Sequence, residues 1–150
     1  MVKAFVSHPL KQILILATCL ISGLVAVLPA YALDTLSPGQ QLNRGESLAS
    51  QNGCFTFILQ DDGNLVLYQQ GNKALWQAGT SGKAVARAVM QGDGNLVLYG
   101  YDNTPVWNSR TDGKDGSRLI IQNDGNVVIY TPSQNRAVWN TKTGTTQVCR

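Results

Sequence analysis

The chain contains very little histidine and glutamate, on which many hydrolytic and metal sites depend. Its 150 residues include one histidine, His8, and one glutamate, Glu46. A Ser-His-Asp or Cys-His site needs a histidine, and His8 lies in an N-terminal segment that we expect to be removed. A paired-carboxylate hydrolase would have to combine Glu46 with aspartates, and no local arrangement supports one. An enzyme is therefore the least expected class.

Cysteine is also scarce, which bears on metal binding and on covalent stabilisation. After the N-terminal segment only Cys54 and Cys149 remain. With no histidine nearby they cannot furnish the three or four nitrogen or sulfur ligands of a zinc site, so no metal is expected. In an exported protein a disulfide is the default interpretation, worth about 4 to 5 kcal/mol for so long a loop in the chain-entropy model. A bridge between subunits is the alternative.

The chain lacks any cluster of like charges. Of its twelve Lys and Arg residues, Lys3 and Lys11 precede the expected mature protein, so ten basic residues face nine acidic ones, a net charge of about +1. These charges are scattered and are interpreted as a solvated surface. We therefore expect no nucleic-acid partner.

The first 32 residues resemble a secretory signal peptide. Ile13–Ala30 is almost wholly apolar, and Ala30, Tyr31 and Ala32 form the small-x-small pattern that signal peptidase accepts. Cleavage after Ala32 would leave 150 − 32 = 118 residues, 33–150, enough for one domain. The sequence thus predicts a secreted, single-domain protein.

Two alternatives exist for this segment. The apolar run is close to the length of a transmembrane helix, and Leu16 to Cys19 faintly resembles a lipoprotein cleavage box. No basic stop-transfer cluster follows Ala32, and cleavage at Cys19 would leave the apolar stretch Leu20–Leu28 on the mature protein. Signal cleavage after Ala32 is therefore favoured.

Three segments of the predicted domain repeat without gaps. The glycine at their centre recurs at Gly63, Gly94 and Gly125, so the period is 94 − 63 = 31 residues both times. A tryptophan preceded by an apolar residue follows each segment, and we expect Trp76, Trp107 and Trp139 to meet in a shared core. Turn-rich stretches, such as 78–82 and 110–116, separate the units.

Each repeat is expected to form short antiparallel strands. Apolar and β-branched residues alternate with others, and no ten-residue window carries a helical stripe. Phe55–Leu59 should enter a turn at Asp62 and Gly63, and Leu65–Tyr68 should leave it. We expect the N-terminal stretch 36–51 to supply the strands that the first unit lacks.

The turn in each repeat should be an odd loop or contain a bulge. A strict two-residue turn would pair Gln60 with Leu65 and direct Gln60 into the core. An odd loop instead leaves Leu65 and Leu67 facing inward, with Gln60 across from the strand that carries Tyr68.

Five side-chain types recur unchanged around each turn although their neighbours vary. They provide a carboxylate that accepts hydrogen bonds, two amides that donate and accept, a phenol and an aliphatic patch, a set suited to a hexose. The turn itself does not require Gln, Val or Tyr, so we interpret the set as binding residues and expect no cofactor. Three weak sites on one domain would bind by avidity. The candidate sugar-binding residues are Gln60, Asp62, Asn64, Val66, Tyr68; Gln91, Asp93, Asn95, Val97, Tyr99; and Gln122, Asp124, Asn126, Val128, Tyr130.

This Gln-x-Asp-x-Asn-x-Val-x-Tyr motif, present three times, resembles the signature of the monocot mannose-binding (bulb-type) lectins related to the snowdrop lectin. The resemblance covers essentially all of 33–150. It implies an all-β fold, a β-prism II of three four-stranded antiparallel sheets around a pseudo-threefold axis with the tryptophans inside. It also implies recognition of α-D-mannose and mannosylated glycans without a metal. In each copy Asp and Asn would bind the axial 2-hydroxyl, Gln the 3-hydroxyl and Tyr the 4-hydroxyl, while Val would pack on the ring.

The resemblance also bears on assembly. Family members often dimerise by exchanging C-terminal strands, which would involve 134–148 here and make a homodimer. Plant members usually close a disulfide within the early part of the domain, whereas Cys54 has only Cys149 as a partner. The bridge and the exchange are therefore expected to differ in detail.

Four other interpretations remain beside mannose binding. In the first, Asp-Gly-Asn is simply a sequence that favours a turn. In the second, the Asp-rich turns bind calcium, although the second and third copies lack the first Asp and no copy offers a bidentate Glu. The protein could also be a structural or protein-interaction β-prism whose sugar sites are vestigial. In that case we would expect broken motifs, and none of the three motifs is broken. A lectin-like bacteriocin or defence toxin would use sugar binding to target a cell envelope.

Overall fold

The computed structural model describes residues 33–145. The expected signal peptide, residues 1–32, and Cys149 lie outside this range. Signal cleavage and the disulfide between Cys54 and Cys149 therefore stay predictions. No helix within 33–145 is long and apolar enough to cross a membrane.

Residues 33–145 form twelve short strands and no helix, which confirms the predicted all-β class. The strands build three four-stranded antiparallel sheets, in the orders β1-β10-β11-β12, β2-β7-β8-β9 and β3-β4-β5-β6. The strands are β1 (Thr35–Leu36), β2 (Gln41–Asn43), β3 (Ser47–Ala49), β4 (Phe55–Leu59), β5 (Leu65–Gln69), β6 (Lys73–Gln77), β7 (Val85–Met90), β8 (Leu96–Gly100), β9 (Pro105–Asn108), β10 (Arg118–Ile121), β11 (Val127–Tyr130) and β12 (Ala137–Asn140).

The N-terminal stretch supplies the strand that the first unit lacks, as predicted, but it also supplies a strand to each of the other two sheets, which the sequence did not predict. It contributes one short strand to each sheet: β1 pairs with β10, β2 with β7 and β3 with β4. Each repeat supplies three strands of a four-stranded sheet. The N-terminal stretch passes all three sheets and supplies the fourth strand of each. The three repeats are thereby tied together by the first seventeen described residues, 33–49.

Alternation along the strands places the core. In β4, Phe55, Phe57 and Leu59 are buried while the residues between them are partly exposed. Leu65 and Leu67 of β5 join the same core, as the alternating pattern predicts. Each repeat contributes one such apolar face, and the faces meet between the sheets.

The three tryptophans meet edge to face, as their spacing suggested. Their ring centroids are 5.9 Å apart for Trp76 and Trp107, 5.6 Å for Trp76 and Trp139, and 6.2 Å for Trp107 and Trp139. The interplanar angles of 73° to 86° are those of T-shaped aromatic pairs. All three rings are only partly buried and pack against the main core.

The strand that the resemblance makes a candidate for exchange lies in its own sheet. β12 pairs with β11 of the same chain, with Ile129 opposite Trp139. Residues 146–148 of the expected exchanged segment lie outside the described range. Strand exchange and the homodimer therefore stay predictions.

Candidate functional site

The motif of each repeat occupies a hairpin with a three-residue loop. The β4–β5 ladder ends at Leu59 opposite Leu65, and the Gln60 N–H then donates to the Asn64 carbonyl at 2.9 Å. Gly63 closes the loop by donating to the Gln60 carbonyl at 3.0 Å, with φ at +85°. This confirms the predicted odd loop, in which a glycine takes the left-handed conformation.

The first and last residues of each motif bond to one another. The Gln amide donates to the Tyr hydroxyl at 2.9 Å for Gln60 and Tyr68, and at 2.7 Å and 2.9 Å in the second and third repeats. The loop therefore brings side chains that are eight positions apart into hydrogen-bond distance. The bonded pairs are Gln60 with Tyr68, Gln91 with Tyr99, and Gln122 with Tyr130.

The motif aspartate uses one carboxylate oxygen to hold the loop. Oδ1 of Asp62 accepts the Asn64 backbone N–H at 2.9 Å, and Asp93 and Asp124 make the same bond at the same distance. In the first repeat the Ser81 hydroxyl donates to the other oxygen of Asp62. The Ser81 bond is the largest cause that lowers the pKa of Asp62 below 3.8, followed by the Asn64 bond.

The motif asparagine has a structural task that the sequence analysis did not foresee. Oδ1 of Asn64, which is 4% exposed, accepts the backbone N–H of Thr80 at 3.0 Å. Thr111 and Thr143 donate in the same way to Asn95 and Asn126, at 3.2 Å and 3.4 Å. The asparagine thus ties the loop after each tryptophan to the motif hairpin through its amide oxygen, while the amide nitrogen of Asn64 donates to Oε1 of Gln77 at 2.8 Å.

The motif valine lies beneath the site. Val66, Val97 and Val128 are 2%, 3% and 2% exposed, and they lie outside the main core cluster. Their alternate positions place them on the sheet face that carries the polar set, as predicted, but little of each side chain is open to a ring above it.

A surface cavity contains the complete first set. Its volume is about 390 Å³, within the range of about 300 to 1,000 Å³ usual for small-molecule sites. Besides the five predicted residues it includes side chains that the sequence analysis did not assign to a site. The cavity is lined by Gln60, Asp62, Asn64, Val66, Tyr68, Ala74, Leu75, Trp76, Gln77 and Ser81.

Two arginines are more than a solvated surface, so the general interpretation of the basic residues was incomplete. Arg44 donates to the backbone carbonyls of Val85, Asp61 and Lys83, which joins the first motif loop to the following strand. The Arg87 guanidinium lies 5.1 Å from the ring centroid of Tyr99, at the second site. Their spacing in the sequence gives no periodic signal for either role.

No group of three or more His, Cys, Asp and Glu side chains within 33–145 could hold a metal ion. What each hairpin presents is a set of neutral donors and acceptors around one carboxylate. Such a set can bind a polyhydroxylated ring by hydrogen bonds to neighbouring hydroxyls. The fold, with the same polar set repeated on each of its three sheets, is that of a β-prism lectin.

Comparison with known proteins agrees with that class. No family model matches the chain. It is 42% identical over 55 residues to the B-type lectin plumieribetin of Scorpaena plumieri, an alignment that covers 37% of this chain and 47% of that protein. The chain thus spans less than half the length of the curated relatives it matches.

Solved structures match over more of the chain. A monomeric monocot mannose-binding lectin from Gastrodia elata is 47% identical with a TM-score of 0.68, over 74% of this chain and 98% of the other. The mannose-specific agglutinin of snowdrop (Galanthus nivalis) bulbs, complexed with methyl-α-D-mannoside, is 42% identical with a TM-score of 0.61, over 75% and 98%. The chain belongs to the monocot mannose-binding (bulb-type) lectin family, whose fold is the β-prism II.

Proposed function

We propose that the protein is a secreted, non-enzymatic lectin that binds α-D-mannose and mannose-containing glycans through three metal-independent sites. The observation that carries the proposal is the repetition of one geometry. In all three hairpins the Gln amide bonds the Tyr hydroxyl, and the Asp carboxylate caps the loop, although the flanking residues differ. The snowdrop and Gastrodia neighbours are named for mannose, which supports this ligand.

The geometry allows each group a role. The carboxylate oxygen that does not cap the loop accepts a hydroxyl hydrogen, and the asparagine amide donates to a hydroxyl oxygen. These two groups would hold the axial 2-hydroxyl of mannose, with the Gln amide at the 3-hydroxyl and the Tyr hydroxyl at the 4-hydroxyl. The carboxylate bond is charge-assisted and is expected to contribute most.

The state of the mature protein belongs to the proposal. Signal cleavage after Ala32 would deliver the domain to an oxidising compartment, where Cys54 and Cys149 would form their disulfide. The Gastrodia neighbour is described as monomeric. A homodimer through C-terminal strand exchange would raise the number of sites from three to six and strengthen binding to dense glycans.

Calorimetry of the mature protein with mannose, glucose and α-linked mannobioses tests the proposal. We expect millimolar binding of mannose, weaker binding of glucose because its 2-hydroxyl is equatorial, and no change when a chelator is added. A matched triple variant, Asp62→Asn, Asp93→Asn and Asp124→Asn, should lose binding while its melting temperature stays close to that of the unmodified protein. No response to millimolar mannose would refute the proposal, and loss of binding on chelation would refute its metal-independent part.

A further inference from the structure

The three sites differ in whether their polar groups are already bonded within the protein. In the first site the Ser81 hydroxyl donates to Oδ2 of Asp62 at 2.6 Å, and Nδ2 of Asn64 donates to Oε1 of Gln77 at 2.8 Å. These are the carboxylate oxygen and the amide group that the loop geometry leaves for a ligand. Both are occupied by neighbouring side chains.

The second site has no counterpart of the Gln77 bond. Asn108 occupies the equivalent register, opposite Val97 as Gln77 is opposite Val66. Its Oδ1 accepts the backbone N–H of Arg110 at 2.9 Å, and Arg110 has φ at +58°. The shorter asparagine thus caps its own left-handed turn and makes no hydrogen bond with the motif amide.

The third site repeats the second one. Asn140 lies opposite Val128, and its Oδ1 accepts the backbone N–H of Lys142 at 2.8 Å. In the first repeat the corresponding left-handed residue is Gly79, with φ at +72°, which needs no such cap. Gln77 is therefore released to reach across to the motif.

The Ser81 bond is also absent from the third site. Ser81 follows Thr80, whose hydroxyl donates to the carbonyl of the motif glycine at 2.8 Å. Thr143 makes the same bond at 2.6 Å and is followed by Gly144. A Cβ at Gly144 would lie only 3.1 Å from Oδ2 of Asp124, so the glycine leaves this oxygen uncovered on that side.

At the second site the residue after the threonine is Asp112. Within the part of the chain that the structure describes, Asp112 makes no hydrogen bond to Asp93, and the only bond to the Asp93 carboxylate is that of the Asn95 N–H to Oδ1, so Oδ2 accepts none. A carboxylate cannot donate a hydrogen bond to another carboxylate, so Asp112 cannot do what Ser81 does. We call a site open when no neighbouring side chain bonds to the second carboxylate oxygen of its aspartate or to the amide nitrogen of its asparagine. The second and third sites are both open in this sense.

We propose that the first site is closed by its own side chains, so that Ser81 and Gln77 set its affinity and the second and third sites carry most of the sugar binding. This inference rests on the proposed function, since it ranks the sites for the same ligand. A sugar hydroxyl at the first site must replace two internal hydrogen bonds, one of them to a charged group. The net loss corresponds to an affinity about fivefold to tenfold lower than at the other sites.

Nuclear magnetic resonance titration with methyl α-D-mannoside measures each site separately, through the backbone amides of Asn64, Asn95 and Asn126. In the unmodified protein Asn95 and Asn126 should respond at about fivefold to tenfold lower sugar concentration than Asn64. The double variant Ser81→Gly, Gln77→Asn gives the first site the residues of the third, and should bring Asn64 to the same range. The reverse variant Gly144→Ser should weaken the response of Asn126 alone.

The control variant is Ser133→Gly, which removes an exposed serine from the β11–β12 connection and should change none of the three responses. Equal affinities at all three sites, or a double variant whose Asn64 responds as before, would overturn this inference while leaving the proposed function intact. If none of the three amides responds to the sugar, the proposed function fails and this inference with it.

A second measurement checks the closing bond without sugar. The Ser81 hydroxyl is the largest cause of the lowered pKa of Asp62, so Ser81→Gly should raise this pKa toward 3.8. Because the lowered pKa reflects a bond to the ionised form, its contribution to stability is present above pH 3.8 and is lost as the pH falls through the folded pKa. Carboxyl carbon-13 titration that finds the same pKa in both proteins would contradict the bond.

Discussion

At the scale of single residues, the motif aspartate combines a structural and a ligand-binding task in its two oxygens. Oδ1 of Asp62, Asp93 and Asp124 accepts a backbone N–H from the loop, and this bond would be required with or without a ligand. Oδ2 is the oxygen that distinguishes the sites. No buried side-chain nitrogen or oxygen within 33–145 lacks a hydrogen-bond partner, so the unbonded polar groups are those near the surface.

This division of tasks predicts that two substitutions of Asp93 will behave differently. Asp93→Asn keeps an oxygen that can cap the loop but removes the charge, so sugar affinity at the second site should fall at least about tenfold while the melting temperature changes little. Asp93→Ala removes the cap as well and should also cost about 1 kcal/mol of unfolding free energy. Site-resolved sugar titration and thermal denaturation separate the two effects, and an asparagine variant that binds normally would contradict them.

The sequence predicted which residues surround each site, but it assigned some of them only half of their role. Gln, Asp and Tyr recur because they bond around the loop, and comparison of the three copies was enough to find them. Asn64 was treated as a ligand-binding residue only, because its bond to Thr80 joins residues 16 positions apart that no local pattern connects. Ser81 was interpreted as part of a connecting turn for the same reason.

At the scale of elements, two factors can prevent a larger residue from replacing a loop glycine: the left-handed backbone conformation and the atoms that a Cβ would meet. Gly125 has φ at +81°, and a Cβ there would lie 2.5 Å from Cε1 of Phe55, a ring in the core. Gly113 also has a positive φ, +75°, but a Cβ there would meet nothing within 4 Å. The two positions therefore separate the cost of the left-handed backbone from the cost of overpacking.

Alanine substitutions at these positions should differ in their effect on stability. Gly113→Ala should lower the unfolding free energy by about 1 kcal/mol, the cost of a left-handed residue with a Cβ. Gly125→Ala should lower it by about 2 to 4 kcal/mol, because displacement of Phe55 adds the cost of overpacking. Chemical denaturation of both variants measures the difference, and equal losses would mean that the Phe55 contact does not constrain the loop.

The elements that the sequence did not predict correctly are the shortest ones. The hairpin strands β4 and β5 have five residues each, and burial in β4 alternates as the pattern of apolar residues predicts, whereas in β5 Val66 is buried between the inward-facing Leu65 and Leu67. In contrast, β1 has two residues, and β2 and β3 have three each. Strands of that length carry one inward-facing residue and no measurable period. Their distribution over three sheets is set by which edges the repeats leave unpaired.

At the scale of the whole molecule, the 31-residue period becomes a threefold arrangement with the tryptophans at its centre. Each tryptophan lies on the last strand of its sheet, and each pair packs edge to face. The sites lie on three different sheets, on the faces opposite the apolar core. They therefore point in different directions, and one flat surface cannot engage all three at once.

This arrangement predicts that a monomer can crosslink glycans but that not all sites matter equally. Mannan-coated beads should agglutinate with the unmodified mature protein, at a concentration where light scattering finds only monomer, because its two open sites face different beads. Asp93→Asn leaves one open site and should abolish agglutination at that concentration, whereas Asp62→Asn removes only the closed site and should agglutinate nearly as well as the unmodified protein. Both variants should still bind to immobilised mannan, which provides the control. If Asp62→Asn abolishes agglutination as completely as Asp93→Asn, the three sites contribute alike and the first site is not closed.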